Sequence, residues 1–364
     1  MAPLNEYNKI NMEDAKSKVG AVFQGDKYRI TILTGSLIRF EYNEKGNFEN
    51  RPTELAINRN FDVPPMSVTQ DNKYLIITTK YFKLEYSKNK PFIGPKIVKD
   101  ANLKVHLLGT DKSWYFNHPE ARNFLGTNRR LTEKMTKSNL TKGLYSTDGF
   151  ASIDDTDSLV FNSEGFLEKR ILTKGTIDTY LFIYKRDFGD CLRDYFELTG
   201  TPALIRRSAL GIWWNKEETY NFEDIKKLIV DFNRNEIPLS NLVLANSWSQ
   251  KDIENKKNKR TGYTFNKKLY SSPFELTNYL HERGINLALN IDPSEGILPS
   301  EAAYNEIAQS LNLDTKKTIP FNAFDPNIIN IFLNTFLKPL TNVGTDFFFL
   351  DCLTKNLNNI RPLI

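Results

Sequence analysis

The feature that most constrains the fold of this 364-residue chain is a change of periodicity close to residue 200. Before that point, short segments alternate apolar and polar residues with period two, which is typical of strands with one buried and one wet face. After it, apolar segments of strand length alternate with longer segments of helical period. The sequence therefore predicts two domains, at residues 1–200 and 201–364, each long enough to bury a core of its own.

The first domain is predicted to be an antiparallel β-sandwich. Turn residues separate its strand segments, and no long helical period interrupts them. The predicted strands include residues 28–33, 37–42, 74–79, 81–86, 103–108 and 179–184. A helix over residues 190–198 ends this pattern, because Gly200 and Pro202 follow it directly and are typical of helix ends.

The second domain is predicted to contain a parallel sheet. Its predicted strands are residues 209–214, 242–246, 285–291 and 346–351, and its helices are residues 223–235, 273–283, 300–310 and 327–337. Consecutive βα units build either a (β/α)₈ barrel or a doubly wound sheet. The G-x-G-x-x-G marker of a dinucleotide fold is absent, and polar or aromatic residues follow each strand, which favours the barrel. We therefore expect an incomplete (β/α)₈ TIM barrel of about four βα units.

The last predicted strand is the most informative stretch for function. Four consecutive large apolar residues separate Asp346 from Asp351, as in a strand buried on both faces. Asp351 then follows the carboxyl end of the strand, where the catalytic residues of such barrels collect. A carboxylate there can attack the anomeric carbon of a sugar or stabilise positive charge on it. It can equally cap the helix that follows.

Other candidate site residues follow the preceding strands: Trp213, Asn246, Trp248, Asp292 and Glu295. The tryptophan rings can stack on a sugar. Because Trp213 and Trp214 are adjacent on one strand, they point to opposite faces, and one of them belongs to the core. Asn246 can donate hydrogen bonds to hydroxyl groups of the substrate. Asp292 and Glu295 can either act as a catalytic acid or hold a loop at the rim.

Composition argues against several other classes of protein. The net charge is only +5, and the basic residues are scattered among acids, which is not the pattern of a nucleic-acid-binding surface. Cys191 and Cys352 form no disulfide framework or zinc ribbon, and the three histidines lie far apart, so we expect no metal site. The N-terminal residues lack the apolar core of a signal peptide, and no segment approaches the ~20 apolar residues that cross a bilayer. We therefore expect a cytoplasmic protein without a cofactor or a membrane partner.

Eight segments, in this order, resemble those of one enzyme family: residues 123–131, 146–155, 193–200, 209–214, 236–239, 261–266, 280–284 and 346–351. The family is glycoside hydrolase family 31, the α-glucosidase and α-xylosidase family, and the resemblance covers roughly residues 25–352. It implies a galactose-mutarotase-like β-sandwich followed by a (β/α)₈ catalytic barrel. It also implies retaining hydrolysis of α-linked glycosides without a cofactor, with Asp351 as the nucleophile.

The chain departs from the family pattern at three places. The family has a D-x-D-W pattern after the second barrel strand, where this chain has Ala245, Asn246, Ser247 and Trp248. The family has an aromatic residue after the nucleophile, where this chain has Cys352. The general acid/base of the family lies on a later strand, beyond residue 364. Retaining hydrolysis needs two carboxyl groups roughly 5–5.5 Å apart, so the departures put the activity of this chain in doubt.

Two hypotheses follow for the function. The first is a truncated retaining glycosidase of family 31 type that acts on an α-linked sugar. The second is a catalytically inactive remnant or a carbohydrate-binding protein. In either case an open half-barrel leaves apolar surface and strand edges exposed. We therefore expect a second chain that completes the barrel, self-association, or poor folding.

Overall fold

The computed structural model of the protein describes residues 10–88, 90–94, 98–126, 140–250, 262–314 and 317–350, with the backbone alone for Val98 and Asn246. Within these ranges the chain forms two compact units, which divide between Pro202 and Ala203. No helix of the described part is both long and apolar enough to span a membrane.

Twelve strands are described in the first unit. They are β1 Val22–Gln24, β2 Tyr28–Ile32, β3 Leu37–Tyr42, β4 Ser67–Gln70, β5 Tyr74–Thr78, β6 Phe82–Ser87, β7 Leu103–Leu107, β8 Ser113–Tyr115, β9 Phe150–Asp154, β10 Val160–Phe161, β11 Leu167–Glu168 and β12 Ile177–Ile183. One antiparallel sheet has the order β1-β2-β3-β12-β9, and a second has the order β4-β5-β6-β7-β8. Strands β10 and β11 form a separate hairpin. Short 3₁₀ turns lie at Val19–Ala21 and Val98–Asp100.

One apolar cluster joins the two five-stranded sheets, since both contribute side chains to it. Phe40 of β3 stacks on Trp114 of β8, with ring centroids 5.3 Å apart. Tyr28 of β2 meets Tyr86 of β6 edge-on at 4.9 Å. The predicted period of two is present in β6 and β7, where buried and half-buried residues alternate.

The first sheet differs from this expectation because its outer face is also buried. Every residue of β2 and β3 is buried. Helix α1 Phe188–Thr199 covers part of that face, with Cys191 and Leu198 in a second apolar cluster. The same sheet holds an ion pair between Arg39 of β3 and Asp178 of β12, whose side chains are at most 2% exposed.

The second unit contains a four-stranded parallel sheet in the order β13-β14-β15-β16. Its elements are β13 Ile212–Lys216, α2 Phe222–Arg234, β14 Leu239–Leu244, α3 Pro273–His281, β15 Asn286–Ile291, α4 Tyr304–Ser310, α5 Pro326–Ile331, α6 Lys338–Asn342 and β16 Phe347–Leu350. A π-helical segment, Phe332–Leu337, joins α5 to α6. Short 3₁₀ turns lie at Arg207–Leu210, Asn246–Trp248 and Pro293–Glu295.

The sheet curls toward one of its faces. Strands in a sheet lie about 4.8 Å apart, so β13 and β16 are three spacings from each other. The rings of Trp213 and Phe347, which belong to these two strands, are nevertheless 5.2 Å apart. The neighbouring Trp214 points to the opposite face and packs edge-on against Phe232 of α2 at 5.4 Å. We call the concave side the inner face; by strand register it carries Trp213, Asn241, Val243, Ala288, Asn290, Phe347 and Phe349.

Candidate active site

Three of the parallel strands end in loops that are joined to one another by hydrogen bonds. The hydroxyl of Ser247, after β14, donates to the carbonyl oxygen of Glu218, after β13, at 2.8 Å. The indole Nε1 of Trp248 donates to the carbonyl oxygen of Asn290, at the end of β15, at 2.8 Å. The carboxyl ends of these strands therefore form one connected rim, as expected for a site built on βα loops.

Trp248 is a structural part of this rim. It is 1% exposed, and its ring meets that of Phe265 at 4.7 Å. With the indole N–H committed to Asn290, the side chain holds the loop after β14 against the end of β15. In this arrangement no face of the ring is open for stacking on a sugar, and a role in substrate binding stays a prediction.

Asp292 caps the turn that follows β15. One of its carboxylate oxygens accepts the backbone N–H of Ser294 at 3.0 Å, and the Ser294 hydroxyl donates to the same oxygen. The turn Pro293–Glu295 begins directly after it. Asp292 and Glu295 are each half-buried. These contacts match the loop-holding alternative for Asp292, and they leave its predicted contact with substrate untested.

The predicted nucleophile, Asp351, lies outside the described residues. For Asn246 the structure gives the backbone position alone, at the first residue of the 3₁₀ turn after β14. Their predicted roles therefore stay predictions. Phe349, two residues before Asp351, lies on the inner face and is 44% exposed.

Of the two candidate tryptophans, Trp213 is more exposed to solvent than Trp248. It is 38% exposed, and its Nε1 donates to the carbonyl oxygen of Ala209 at 2.9 Å. One side of its ring touches Phe347. Trp213 is therefore held in place by both of these contacts while part of its surface stays open.

The inner face also carries polar groups that sequence reasoning did not single out. The side-chain oxygens of Asn241 and Asn290 are buried and have no hydrogen-bond partner among the described residues. A buried acceptor without a partner costs roughly 1–3 kcal/mol. The burial of Asn290 on the inner face depends on tertiary packing and has no signal in the local sequence.

Close packing at the rim also explains why residue 262 is a glycine. Gly262 has φ +82°, and a Cβ atom there would lie 2.8 Å from the carbonyl oxygen of Asn290. Only glycine combines this backbone conformation with so close an approach. The segment before Phe265 is therefore fixed against the end of β15.

The pair of Lys216 and Glu218, at the carboxyl end of β13, is ionised at neutral pH. Lys216 and Glu218 are 2.5 Å apart, and their hydrogen bond raises the pKa of Lys216 and lowers the pKa of Glu218. A carboxylate with a lowered pKa is a poor general acid. Within the described ranges, no group of three histidine, cysteine or acidic residues is placed to hold a metal ion.

The second unit is thus a curled parallel sheet of successive βα units with polar loops at its carboxyl rim, the class of architecture to which TIM-barrel domains belong. Residues 202–360 match the family model described as the glycosyl hydrolases family 31 TIM-barrel domain. By this match, which spans less than half of the chain, the second unit is similar to the TIM-barrel domain of glycoside hydrolase family 31, a family of glycosyl hydrolases.

Individual relatives show the same similarity. A curated α-xylosidase of Saccharolobus solfataricus is 26% identical over 172 residues, which are 47% of this chain and 22% of the relative. A family 31 dextranase of Flavobacterium johnsoniae, solved with glucose, superposes with a TM-score of 0.61 at 14% identity, over 92% of this chain and 47% of that one. A family 31 α-xylosidase of Xanthomonas citri gives 0.60 at 10% identity, over 92% and 57%. The structural likenesses establish the fold alone. The chain spans only part of the length of each of these proteins.

Proposed function

We propose that the chain carries the first part of the active site of a retaining glycosidase that cleaves α-linked glycosides, with Asp351 as its nucleophile. The observation that carries the proposal is the position of Phe349 on the concave inner face. A strand returns a side chain to the same face every two residues, and Asp351 is two residues after Phe349 in the sequence. The family match runs past this position, to residue 360.

In the proposed reaction the Asp351 carboxylate attacks the anomeric carbon and the glycosidic C–O bond breaks. An acid protonates the leaving oxygen, and water then hydrolyses the glycosyl ester. In this proposal Trp213 contacts the sugar from the inner face, and Asn246, Trp248 and Asp292 line or support the rim. The names of the relatives make an α-xyloside or α-glucan the favoured substrate class.

The fold proposed for this function is an antiparallel β-sandwich followed by an incomplete (β/α)₈ barrel. Two sheets that share one apolar cluster support the first part. Four parallel strands, with Trp213 and Phe349 exposed at the two ends of the inner face, support the second. We propose that further βα units, in a partner chain or in a second copy, cover that face and supply the general acid.

A label that needs no acid tests the nucleophile directly. Fluoride leaves as an anion, so a 5-fluoro-α-xylosyl or 5-fluoro-α-glucosyl fluoride can trap the glycosyl ester without a general acid. We expect mass spectrometry to find the sugar on the peptide that contains Asp351. The Asp351→Asn variant should stay unlabelled, whereas Glu306→Gln, an exposed position on α4, should label like the parent chain.

A carbohydrate-binding protein without turnover is the second candidate function. The observation in its favour is the sequence Ala245-Asn246-Ser247, which lacks the carboxylates of the family pattern at this rim. Two results together would establish it. Methyl α-xyloside or methyl α-glucoside would bind in a calorimetric titration. The chain would acquire no covalent label and would release no nitrophenol from nitrophenyl glycosides. Labelling at Asp351 would exclude it.

A further inference from the structure

A polar recess lies in the first unit, in a different unit from the rim discussed above. It has a volume of about 260 Å³. Its walls come from β8, an edge strand of one sheet, and from β9 and β12 of the other. Trp114, Phe116 and Ile177 contribute apolar surface to it. Asn117, His118, Lys142, Ser152, Asp154 and Thr179 contribute polar groups.

A buried carboxylate beside the recess fixes its shape. Glu120 has a fully buried side chain and accepts hydrogen bonds from Trp114 Nε1 at 3.3 Å and from the backbone N–H of Ser152 at 3.2 Å. The Ser152 hydroxyl donates to it as well. Glu120 thus bridges β8 and β9. It does so with φ +49°, a conformation that a non-glycine residue keeps only where its surroundings hold it.

His118 presents a neutral ring to this recess. Its Nδ1 accepts the backbone N–H of Glu120 at 3.0 Å, which assigns the proton of the neutral tautomer to Nε2. Burial lowers the pKa of His118. The ring is wedged edge-on between Tyr115 and Phe150, at 4.9 and 5.0 Å. The side chain is therefore a rigid hydrogen-bond donor.

Other groups that line the recess retain bonding capacity. Lys142 is 3.6 Å from the Glu120 carboxylate, and its side chain is 45% exposed, so its ammonium group can still donate. One oxygen of Asp154 accepts the backbone N–H of Thr156 at 3.0 Å, which leaves the second oxygen as an acceptor. Thr179 adds a hydroxyl that can both donate and accept. Donors and acceptors of mixed charge thus surround a small apolar surface.

This combination fits a neutral ring with several hydroxyl groups. Each hydroxyl can accept from an ammonium or imidazole N–H and donate to a carboxylate. An anion would meet Asp154 and Asp157, whereas the C–H face of a sugar ring can lie on Phe116 and Ile177, which are both only half-buried. We propose that the recess between β8 and β9 is a binding site for a single pyranose unit, separate from the rim of the second unit.

Calorimetric titration of the full chain tests the proposal, with Asp351→Asn present throughout so that chemistry at the rim cannot contribute. The probes are methyl α-xyloside and methyl α-glucoside, compared with glycine and inorganic phosphate. We expect saturable binding of at least one glycoside. Asp154→Asn and the isosteric Thr179→Val should each weaken it about three- to tenfold, the effect of losing one hydrogen bond.

Matched variants separate a binding role from a structural one. Glu164→Gln changes an exposed carboxylate of the same unit and should leave the affinity unchanged. Thr179→Ser keeps the hydroxyl and should bind like the parent chain, and thermal unfolding should show all variants folded. The proposal is overturned if no glycoside binds saturably, if Asp154→Asn and Thr179→Val bind as the parent does, or if glycine or phosphate binds as tightly. None of these results depends on Asp351 being a nucleophile.

Discussion

Asp346 holds three segments of the second unit at one carboxylate. It accepts the backbone N–H of Leu287 at 2.9 Å and faces His281 Nε2 at 2.8 Å and Arg206 at 3.3 Å. Its side chain is only 15% exposed. The start of β16 is thereby attached to the start of β15, to the end of α3 and to the segment before β13.

Removing this carboxylate should destabilise the second unit. We expect Asp346→Ala to lower the free energy of unfolding by about 1–3 kcal/mol, because a buried backbone donor loses its partner. Urea denaturation measures the change. Asp314→Ala, at an exposed loop position, serves as the control and should change stability by less than about 0.5 kcal/mol. Equal effects of the two substitutions would contradict this role for Asp346.

The Arg39–Asp178 pair likewise stabilises the first unit, and it is more deeply buried than Asp346. Arg39 Nη2 is 2.6 Å from Asp178, and neither side chain is more than 2% exposed. We expect Asp178→Ala to destabilise the unit by about 3–5 kcal/mol, because it removes a buried carboxylate that pairs with both Arg39 and Arg170. The exposed Lys27–Glu44 pair, at a similar 2.6 Å, offers the comparison. Glu44→Gln should produce no measurable shift in the thermal midpoint.

A neighbouring carboxyl should give the first unit a pH dependence. Burial, together with the charge of Asp178, raises the pKa of Asp155 to about 6, against the opposing attraction of Arg59 and Arg39. The folded state therefore binds this proton more tightly than the unfolded state, whose carboxyl titrates near the ordinary value of about 3.9. The contribution of Asp155 to stability is thus fully present below about pH 4 and is lost as the pH rises through 6.

Comparing Asp155→Asn with the parent chain isolates this contribution. Between about pH 4 and 7 the parent should lose up to about 3 kcal/mol relative to the variant. Urea denaturation at several pH values measures the difference. A difference that stays constant with pH would show that Asp155 does not titrate in this range.

At the scale of elements, helix α2 begins at a capping box formed by residues close together in the sequence. Asn221 accepts the backbone N–H of Asp224 at 3.0 Å, and Asp224 in turn accepts the N–H of Asn221 at 3.2 Å. This reciprocal pair satisfies two donors at the start of α2. The cap residue could be identified from the sequence because it lies directly before the amphipathic run.

The cap of α2 can be measured by itself. We expect Asn221→Ala to lower the free energy of unfolding by about 1 kcal/mol. Asn221→Ser keeps a side-chain oxygen that can accept from the same N–H and should have a smaller effect. Denaturant titration of both variants gives the comparison. If the serine variant is as unstable as the alanine variant, the contribution of the cap is not its hydrogen bond.

Six strands of the first unit lie outside the segments predicted above; β10 and β11 form the separate hairpin, and the other four share a position in the two larger sheets. The predicted segments correspond to β2, β3, β5, β6, β7 and β12, all interior to their sheets. The short strands β1, β4, β8 and β9 are the four edges. Strand β4 is exposed at every residue. An edge strand is held by the backbone of one neighbour and needs no apolar pattern of its own, so the sequence carries little sign of it.

One predicted helix changes from α-helical to π-helical geometry along its length. The segment predicted at residues 327–337 forms α5 and then the π-helical Phe332–Leu337. Pro339 follows in α6. A proline lacks an N–H and collides with the carbonyl group four residues earlier in an α-helix. The wider turn before Pro339 accommodates this constraint, which helical periodicity alone does not show.

At the scale of the whole molecule, the parallel sheet has apolar side chains exposed along both of its edges. On and just before β13, Leu210 is 76% and Ile212 is 41% exposed. On β16, Phe349 is 44% exposed. Edge strands with exposed apolar side chains pair readily with other chains.

We therefore expect this chain to associate when it is purified by itself. Size-exclusion chromatography with light scattering should give a mass above that of the 42.1 kDa monomer at micromolar concentration. Leu210→Lys together with Ile212→Lys should shift the population toward monomer, whereas Val68→Lys, on an edge strand of the first unit, should not. A stable monomer of the parent chain would count against both the partner and the self-association proposals.

The sequence by itself determined the interior strands, the helices and their caps, and the succession of βα units, because these depend on periodicity and on residues close along the chain. It also indicated the family, through short segments in a fixed order. Only the tertiary structure decided that Trp248 is buried in the rim, that Trp213 meets Phe347 across the inner face, and that Arg39 pairs with Asp178. The two residues in each of these contacts are 42 to 139 positions apart in the sequence. No local pattern encodes such a contact, since it exists only when separate strands have packed.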